Sequence, residues 1–324
     1  MEVPSMKTIN FMGNKKVFFG ISIFLIVLIV AFIFINGVKL DIEFAGGSLV
    51  AYSYEGDLDR DAVAASIQSA IGEEVNIQDK EDVATGKKSI DVSLAASKSL
   101  SMDQLELLNN TMYEDYADYN IEFVSSSNVN PTIGREFFLK CIVAVIFAFI
   151  LIVVFVAISF RKIGGWSAGV MAIIALLHDV IMVFGTFVIL RFPLNGNFIA
   201  VVLTIIGYSV NDTIVVYDRI RENEKLYGAD KDIASITNMS LNQVKARTIN
   251  TSITTVGALV VICIVAIIYD ISSIITFAVP MAVGMIAGAY SSLFLAAPMW
   301  VLWKQRKSKA VKPAKKNAVG KIKI

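Results

Sequence analysis

The sequence predicts a bundle of six transmembrane α-helices with a small α+β domain inserted after the first helix. Of the 324 residues, 56% are hydrophobic and only 18% are charged, which lies well outside the range of an ordinary soluble domain. The mean hydropathy of +0.66 agrees with this interpretation. Six apolar runs approach the roughly 20 residues that cross a bilayer, and an acidic stretch separates the first run from the second.

The predicted spans are residues 17–36, 137–160, 166–190, 198–217, 248–269 and 273–303. The last run is long enough to tilt, or to bend at Pro280 or Pro298. The first run follows Lys15 and Lys16, but its apolar core is too long for a signal peptide and no small-x-small cleavage site follows it. We therefore predict that the first run is an uncleaved span.

Basic residues beside the spans predict the orientation of the chain. If the six spans alternate, one side collects Lys7, Lys15, Lys16, Arg161, Lys162, Arg219, Arg221, Lys225, Lys231, Lys245 and the tail from Lys304 onward. The positive-inside rule assigns that side to the cytoplasm. Both termini, residues 1–16 and 304–324, are then cytoplasmic, and residues 37–136 lie outside.

The C-terminal tail, KQRKSKAVKPAKKNAVGKIKI, is strongly basic. We interpret it as a disordered segment beside the membrane that touches anionic lipid headgroups. Binding to a ribosome or a motor protein is the alternative interpretation. We predict no nucleic-acid partner.

The insert between the first two spans has the pattern of a folded extracytoplasmic domain. Residues 39–130 contain 18 of the 28 acidic residues and only 6 Lys or Arg, which favours solubility without naming a partner. Residues 48–54 alternate as a strand, and residues 57–72 form an amphipathic helix that stops at Gly72. Residues 74–84 and 87–96 form two strands joined by a turn at Thr85-Gly86.

A helix capped at Ser99 or Ser101 and a strand over residues 119–127 complete the domain. The order βαββαβ is that of the ferredoxin-like plan. Two roles remain open for this domain: a scaffold or docking surface, and a site that binds an unfolded polypeptide. Ahead of its first strand, Gly46 and Gly47 suit a sharp change of direction or a close backbone contact.

Asp212 interrupts the fourth apolar run. An ionised carboxylate in the middle of an isolated span costs about 2.5–3.5 kcal/mol, so it should face the bundle interior, find a partner or bind a proton. The next span supplies a candidate partner, because a polar stripe at helical spacing comprises Arg247, Thr251, Thr254 and Thr255. Asp212 is about 9 Å from the predicted end of its span, and Arg247 is long enough to reach toward it.

Ser209 lies one turn before Asp212 on the same face, and Asn211 adds a neutral hydrogen-bonding group beside it. Two interpretations of the Asp212 and Arg247 pair remain. The pair is either a static buried ion pair that fixes helix packing, or a switch in which protonated Asp212 releases Arg247 and the helices move.

His178 and Asp179 form a second polar spot near the middle of the third span. His178 is the only histidine, and it serves either as a hydrogen-bonded packing residue or as a proton shuttle. The nearby sequence GWSAG matches the G-x-S-x-G pattern of hydrolases. However, Ser167 precedes His178 by 11 residues, about 16 Å along one helix, so the two cannot share a hydrogen bond and we predict no enzyme.

Small residues complete the pattern of the spans. Cys141 and Cys263 fall within predicted spans, where a thiol usually acts as a small apolar group, so we predict no disulfide, no metal site and no cofactor. Gly284 and Gly288 form a small-xxx-small pair that favours close helix packing, within this chain or against a partner.

Four strings together resemble the SecF family of the bacterial SecD/SecF protein-export complex, within the RND superfamily. They are GYSVNDTIVVYDRIREN, which begins at Gly207, DIEFAGG after the first span, HD in the third span and ARTINTSITT at the start of the fifth. The resemblance extends from about residue 15 to residue 303. Ile42 and Glu43 separate Asp41 from Phe44 here, whereas the commoner family form has Asp directly before Phe.

The resemblance implies six spans, an extracytoplasmic domain between the first two, and a pseudo-symmetric SecD partner that carries a further membrane Asp. It places the family's membrane carboxylate on Asp212 and its membrane arginine on Arg247, so that the proton pathway includes both. The family's structural motif falls on Asp41, Phe44, Gly46, Gly47 and Gly207.

The implied function is to help the SecYEG channel complete the export of unfolded preproteins across the bacterial cytoplasmic membrane, driven by the proton motive force. A sodium ion in place of the proton stays open, since a carboxylate among hydroxyl and amide oxygens can serve either ion. An RND-like exporter of a small molecule or lipid, and a purely structural membrane adaptor, are the alternatives from other classes.

Overall fold

The computed structural model describes residues 8–73, 75–81, 88–94, 100–269 and 271–306. Within these ranges six helices are long and apolar enough to cross a membrane, which confirms the predicted six-helix bundle. The elements in chain order are α1 (Lys15–Asn36), α2 (Ile42–Ala45), β1 (Gly47–Tyr54), α3 (Arg60–Ile71), β2 (Val75–Glu81), β3 (Lys88–Leu94), α4 (Met102–Asp115), β4 (Glu122–Val129), α5 (Pro131–Ser159), α6 (Gly165–Leu190), α7 (Gly196–Tyr227), α8 (Ile233–Ile268) and α9 (Ser272–Ser291). A π-helical turn at Ser292–Ala296 follows α9, and helical structure continues to Arg306.

Several spanning helices extend beyond the apolar runs of the sequence because their outer turns, at one end or the other, are polar. Asn130 caps α5 through the backbone N–H of Thr132 at 2.9 Å, and Pro131 occupies the first helical position. Asp232 caps α8 through the backbone N–H of Ala234 at 3.2 Å. Helix α7 likewise continues ten residues past its apolar run, to Tyr227. An apolar window cannot find such ends, because the capping residues and the outer turns are hydrophilic.

The domain between α1 and α5 contains one four-stranded sheet with the order β2-β3-β1-β4. All three pairs of neighbouring strands are antiparallel. This arrangement is consistent with the predicted ferredoxin-like plan. Helices α3 and α4 pack on the sheet, and the core between them includes Tyr52, Ile67, Leu108 and Met112.

Local signals end and begin the helices of this domain as the sequence predicts. Helix α3 stops at Gly72, whose φ of 79° is in the left-handed region that favours glycine. Helix α4 starts with a capping box in which Ser101 and Gln104 satisfy each other's backbone N–H groups. The predicted turn at Thr85-Gly86, the alternative cap Ser99 and the tail beyond Arg306 lie outside the described residues.

The membrane bundle has two main apolar clusters, one at each end. We call the end that carries the sheet the domain side, and the other end the opposite side. On the domain side the cluster includes Phe44, Phe187 and Ile205. On the opposite side it includes Tyr217 and Trp300.

Close approach of α9 to its neighbours depends on two glycines. A Cβ on Gly284 would lie 2.7 Å from Cγ1 of Ile205, and a Cβ on Gly288 would lie 3.0 Å from Cβ of Ser209. Any larger residue would therefore push α9 away from α7. The small-xxx-small pair functions inside this chain.

The segment before α1 is bound by the opposite side of the bundle. Asn242 of α8 holds Ile9 by two hydrogen bonds, accepting from the backbone N–H at 2.9 Å and donating to the carbonyl at 2.8 Å. Asn238 accepts from the backbone N–H of Met12 at 3.3 Å. Between these contacts, Phe11 is fully buried and its ring centroid lies 5.1 Å from that of Phe294. The segment thus anchors α1 to α8 and to the π-helical turn after α9.

We expect Phe11→Ala to destabilise the protein by about 3–5 kcal/mol, because it removes a fully buried ring and leaves a cavity. Thermal unfolding of the purified protein in detergent, followed by intrinsic fluorescence, measures the effect. Phe34, which is 86% exposed, provides the matched control, and Phe34→Ala should change the unfolding midpoint little. Equal midpoints for the two variants would contradict the anchoring role of Phe11.

Candidate functional site

A buried polar cluster lies between α6, α7 and α9, with Asp179 at its centre. Asp179 is fully buried, and its Oδ2 accepts hydrogen bonds from Oγ of Ser209 at 2.6 Å and Oγ of Ser291 at 2.8 Å. Its Oδ1 is 3.1 Å from Nδ1 of His178. Three helices therefore place polar side chains on one carboxyl group.

Both serine hydroxyls donate to the same oxygen of Asp179. A carboxyl oxygen accepts such hydrogen bonds whether or not the group is ionised. They compensate for the lost hydration of a buried polar group. Asp179 is thus held in place and satisfied by its own chain.

The π-helical turn after α9 helps to bring two adjacent serines into this interface. Ser291 and Ser292 are both fully buried. Oγ of Ser292 lies 3.0 Å from Oγ1 of Thr213 and donates to the carbonyl of Ser209 at 3.3 Å. Neighbouring residues of a regular α-helix point about 100° apart, and the wider π turn lessens that divergence, so that both serines can face the interface.

Helix α1 reaches the cluster through Tyr290. The Tyr290 hydroxyl accepts from Oγ of Ser22 at 3.2 Å and donates to the carbonyl of Phe18 at 2.6 Å. The ring of Tyr290 lies 5.9 Å, centroid to centroid, from that of His178. Sequence reasoning missed these residues, although the polar run Tyr290-Ser291-Ser292 inside an apolar helix was a usable signal.

Asp212 is buried, as its sequence context predicts, but its environment differs from that of Asp179. It is only 4% exposed, and among the residues that the structure describes its Oδ2 has no hydrogen-bond partner. Ser209, one turn away on α7, donates to Asp179 instead. Asn211 points to the exposed side of the helix. No hydrogen-bond donor of the described residues therefore stabilises a negative charge on the Oδ2 atom of Asp212.

Arg247 is exposed on α8, and in the described part of the chain it makes no ion pair with Asp212. The electrostatic field of the guanidinium nevertheless acts on the Asp212 carboxyl group. The two residues are thus close enough to interact through space but not joined by a hydrogen bond. A movement of the Arg247 side chain or of α8 is needed to pair them.

The threonine stripe lies on the same outward region of α8. Thr251 and Thr254 are exposed, and both donate their hydroxyl protons to carbonyls of their own helix. Thr255 is partly buried and lies 3.5 Å from the hydroxyl of Tyr208 on α7. The stripe therefore presents hydroxyl oxygens to the outside of this chain rather than to its core.

The hydrolase pattern does not form a catalytic arrangement. Oγ of Ser167 donates to the carbonyl of Gly164 at 2.7 Å, as part of the turn that starts α6. His178 lies three turns along the same helix and contacts Asp179. In the described ranges, no group of three or more His, Cys, Asp or Glu residues is placed to hold a metal ion.

The DIEFAGG motif forms the junction between the bundle and the sheet. Asp41 caps α2 by accepting from the backbone N–H of Glu43 at 3.2 Å. Phe44 is buried against Phe137 and Phe138 of α5, with ring centroids 5.7 and 5.2 Å away. The motif therefore fixes the entry of the chain into the sheet.

The glycines of the predicted structural motif differ in their surroundings. Gly46 has a φ of 79°, and a Cβ there would lie 2.4 Å from Cα of Pro131. Gly47 opens β1 with a φ of 137°. Gly207 on α7 is exposed, and no heavy atom lies within 4 Å of the place of its Cβ. A close backbone contact thus requires glycine at Gly46, whereas no such contact requires it at Gly207.

These observations define a multi-pass membrane protein whose interior contains a buried ionisable cluster, an arrangement that marks proton and ion pathways in membrane transport proteins. The model of the family described as "Protein export membrane protein SecD/SecF, C-terminal" matches residues 109–306. The chain belongs to the SecD/SecF family of protein-export membrane proteins.

Relatives and solved structures agree with this assignment. The chain is 34% identical over 308 residues to the protein translocase subunit SecF of Rickettsia typhi, covering 94% of this chain and 95% of the relative. It is 33% identical to that of Petrotoga mobilis, covering 95% and 100%. A crystal structure of SecDF from Thermus thermophilus, described as a translocon-associated membrane protein, superposes with a TM-score of 0.75 at 29% identity. That match covers 94% of this chain, which spans only 40% of the SecDF chain.

We expect Asp179→Asn to destabilise the protein by about 1–3 kcal/mol, since the amide replaces one acceptor oxygen by a donor and leaves a buried partner unsatisfied. Asp212→Asn should cost much less, because Oδ2 of Asp212 has no protein donor to lose. Unfolding midpoints of the two variants in the same detergent provide the comparison. A larger loss for Asp212→Asn would overturn the assignment of Asp179 as the satisfied carboxylate.

We expect the stability of Asp41→Asn, relative to the natural chain, to increase from pH 4 to pH 7. Burial is the main cause that raises the pKa of Asp41 above the ordinary value of 3.8. The cost of ionising a group with a raised folded-state pKa is absent below the ordinary value and complete above the raised one. The asparagine oxygen still accepts from Glu43 and carries no charge. Unfolding measured across this pH range would contradict the expectation if the two curves stayed parallel.

Proposed function

We propose that this chain is the SecF-type accessory subunit of a Sec preprotein translocase. With a separate SecD partner and the SecYEG channel, it uses the proton motive force to complete the export of unfolded preproteins. The names of its relatives and its similarity to part of a longer SecDF chain support this proposal. In this assembly both termini are cytoplasmic, the sheet domain is extracytoplasmic, and the basic tail contacts anionic lipid.

One observation carries the proton-coupling role: Asp212 is buried, and the Oδ2 atom of its carboxyl group lacks a protein donor, while the field of a nearby arginine acts on the same group. The gain or loss of one proton by a buried carboxyl group near a positive charge strongly changes the interaction between the two groups. Asp179, by contrast, is already satisfied by two serines and His178. We therefore assign proton binding to Asp212, and a positioning role to Asp179 and His178.

The proposed step is a proton exchange at Asp212. When Asp212 loses its proton, the carboxylate attracts the guanidinium of Arg247 toward the interior. When it binds a proton, an O–H bond forms, the attraction ends, and Arg247 returns to the outward face of α8 with Thr251 and Thr254. The exposed threonine oxygens then line the water path to the carboxyl group.

The energy of the gradient is large enough for this step. Moving one elementary charge through 100 mV releases about 2.3 kcal/mol. Rearranging a charge pair that is partly desolvated costs an energy of the same order. One proton per cycle can therefore change which arrangement of α7 and α8 is favoured.

Export into inverted membrane vesicles, with proton and sodium gradients imposed separately, tests the proposal. We expect Asp212→Asn to assemble normally and to abolish the dependence of late export on the proton gradient, because the amide cannot exchange a proton. Arg247→Met should have the same effect, since it removes the charge that senses Asp212. Asn211→Ala, which alters the exposed neighbour of Asp212, is the matched control.

Three results would contradict the proposal. Unchanged gradient dependence in Asp212→Asn would leave only a structural adaptor, and full export by Arg247→Met would reduce the pair to helix packing. A response to the sodium gradient alone would replace the proton by sodium. Co-purification separates the remaining alternative, because recovery of a SecD-like protein with SecYEG supports export and recovery of a self-dimer alone favours a small-molecule or lipid exporter.

A further inference from the structure

Glu43 makes a contact that links the sheet domain to the helix that carries Asp212. Its Oε2 atom accepts a hydrogen bond of 2.6 Å from the backbone N–H of Gly196, the first residue of α7. The first N–H groups of a helix have no partner within the helix, and the helix dipole favours negative charge at that end. Glu43 therefore caps α7 from a different part of the chain.

The space at this contact is limited. A Cβ on Gly196 would lie 3.0 Å from Oε2 of Glu43. Asn195, the local cap of α7, accepts from the backbone N–H of Asn197 at 3.1 Å, so Glu43 supplements this cap and does not replace it. The contact is solvent-exposed, and we expect it to add little to global stability.

A second connection lies beside the first. The backbone N–H of Leu194 donates to the carbonyl of Lys39 at 2.9 Å, and the N–H of Asp41 donates to the carbonyl of Leu194 at 3.0 Å. These bonds form an isolated parallel bridge between Leu40 and Leu194. The loop before α7 is thus tied to the chain on both sides of Leu40, within a few residues of Glu43.

The path from Glu43 to the sheet is short and tightly packed. Only Gly46 separates α2 from β1, and Gly47 pairs with Val129 of β4. A Cβ on Gly134 of α5 would lie 2.9 Å from the backbone nitrogen of Gly46. A displacement of α2 therefore reaches β1, β4 and the start of α5 without a flexible linker.

We infer that Glu43 is a positioning residue that transmits axial movement of α7 to the sheet domain. The inference rests on the proposed function, in which the charge state of Asp212 moves α7 and α8. Asp212 lies 16 residues, about 24 Å, from Gly196 along α7. A helix transmits axial displacement over such a distance, and the Glu43 cap connects its end to the sheet.

Distances between spin labels test this inference in the assembled complex. One label replaces Ser126 on the exposed strand β4, and the other replaces Trp166, which is 69% exposed at the start of α6 and so reports the sheet against a helix other than α7. The distance is measured with and without Asp212→Asn, in chains that carry Glu43, Glu43→Ala or Glu43→Gln. Glu136→Ala is the matched control, because Glu136 is an exposed acidic residue near the same junction whose contact is with Lys140.

We expect Asp212→Asn to shift the distance in the chain with Glu43 and in the Glu136→Ala control. Glu43→Ala should reduce the shift, with the backbone bonds beside Leu40 still in place, and should reduce gradient-driven export several-fold, while the unfolding midpoint changes little. Glu43→Gln should restore most of the shift, because its amide oxygen still accepts from Gly196. A residue with a purely structural role would not show this loss of movement with rescue by the amide.

A distance shift in Glu43→Ala as large as that in Glu136→Ala would overturn the inference, as would equal export by these two variants. Gly196→Val provides an independent variant, since its side chain would displace the carboxylate of Glu43, and it should reproduce the effect of Glu43→Ala. Failure of the proposed function is recognised separately, as unchanged gradient dependence in Asp212→Asn alone. The two hypotheses are therefore judged by different variants.

Discussion

The fold depends on the need to satisfy a carboxyl group where lipid offers no hydrogen-bond donor. A polar group inside a bilayer must find its partners within the protein. Asp179 finds them on α6, α7 and α9, and the short serine side chains require those helices to approach closely. Gly288 permits that approach, because it faces Ser209 where a larger residue would not fit. Hydrogen bonding at Asp179 and glycine-mediated packing are thus two aspects of one constraint.

The two membrane carboxyl groups differ in the hydrogen-bond donors around them, and this difference supports their separate proposed roles. Asp179 holds three helices together and has its donors, whereas the Oδ2 atom of Asp212 is buried without one. Hydrogen-bond donors fix the position of the Asp179 carboxyl group, whereas a proton gained or lost at Asp212 changes its attraction to Arg247. The polar face of α8, with Arg247 and Thr251, is exposed on this chain.

The junction on the domain side gives the buried cluster a mechanical connection to the sheet. Helix α7 carries Asp212 and begins at the residue that Glu43 caps. The sequence resemblance predicted Asp41 as the acidic residue of the junction. In the structure Asp41 caps the short helix α2, and Glu43, directly before Phe44, contacts the membrane bundle. The side chain that spans two parts of the fold could be recognised only from their relative placement.

The sequence alone determined the six spanning helices and the βαββαβ order of the domain, because apolar run length, alternation and capping residues are local properties. It also identified Asp212 and Asp179 as buried carboxyl groups, since both lie inside apolar runs. Tertiary structure decided which groups meet. Helical spacing placed Ser209 beside Asp212, yet its hydroxyl donates to Asp179. Ser291 donates to the same carboxyl group from α9, 112 residues further along the chain than Asp179. Spacing gives the angle of a residue on its own helix, but packing sets how each helix is rotated against its neighbours, and that rotation selects the partners.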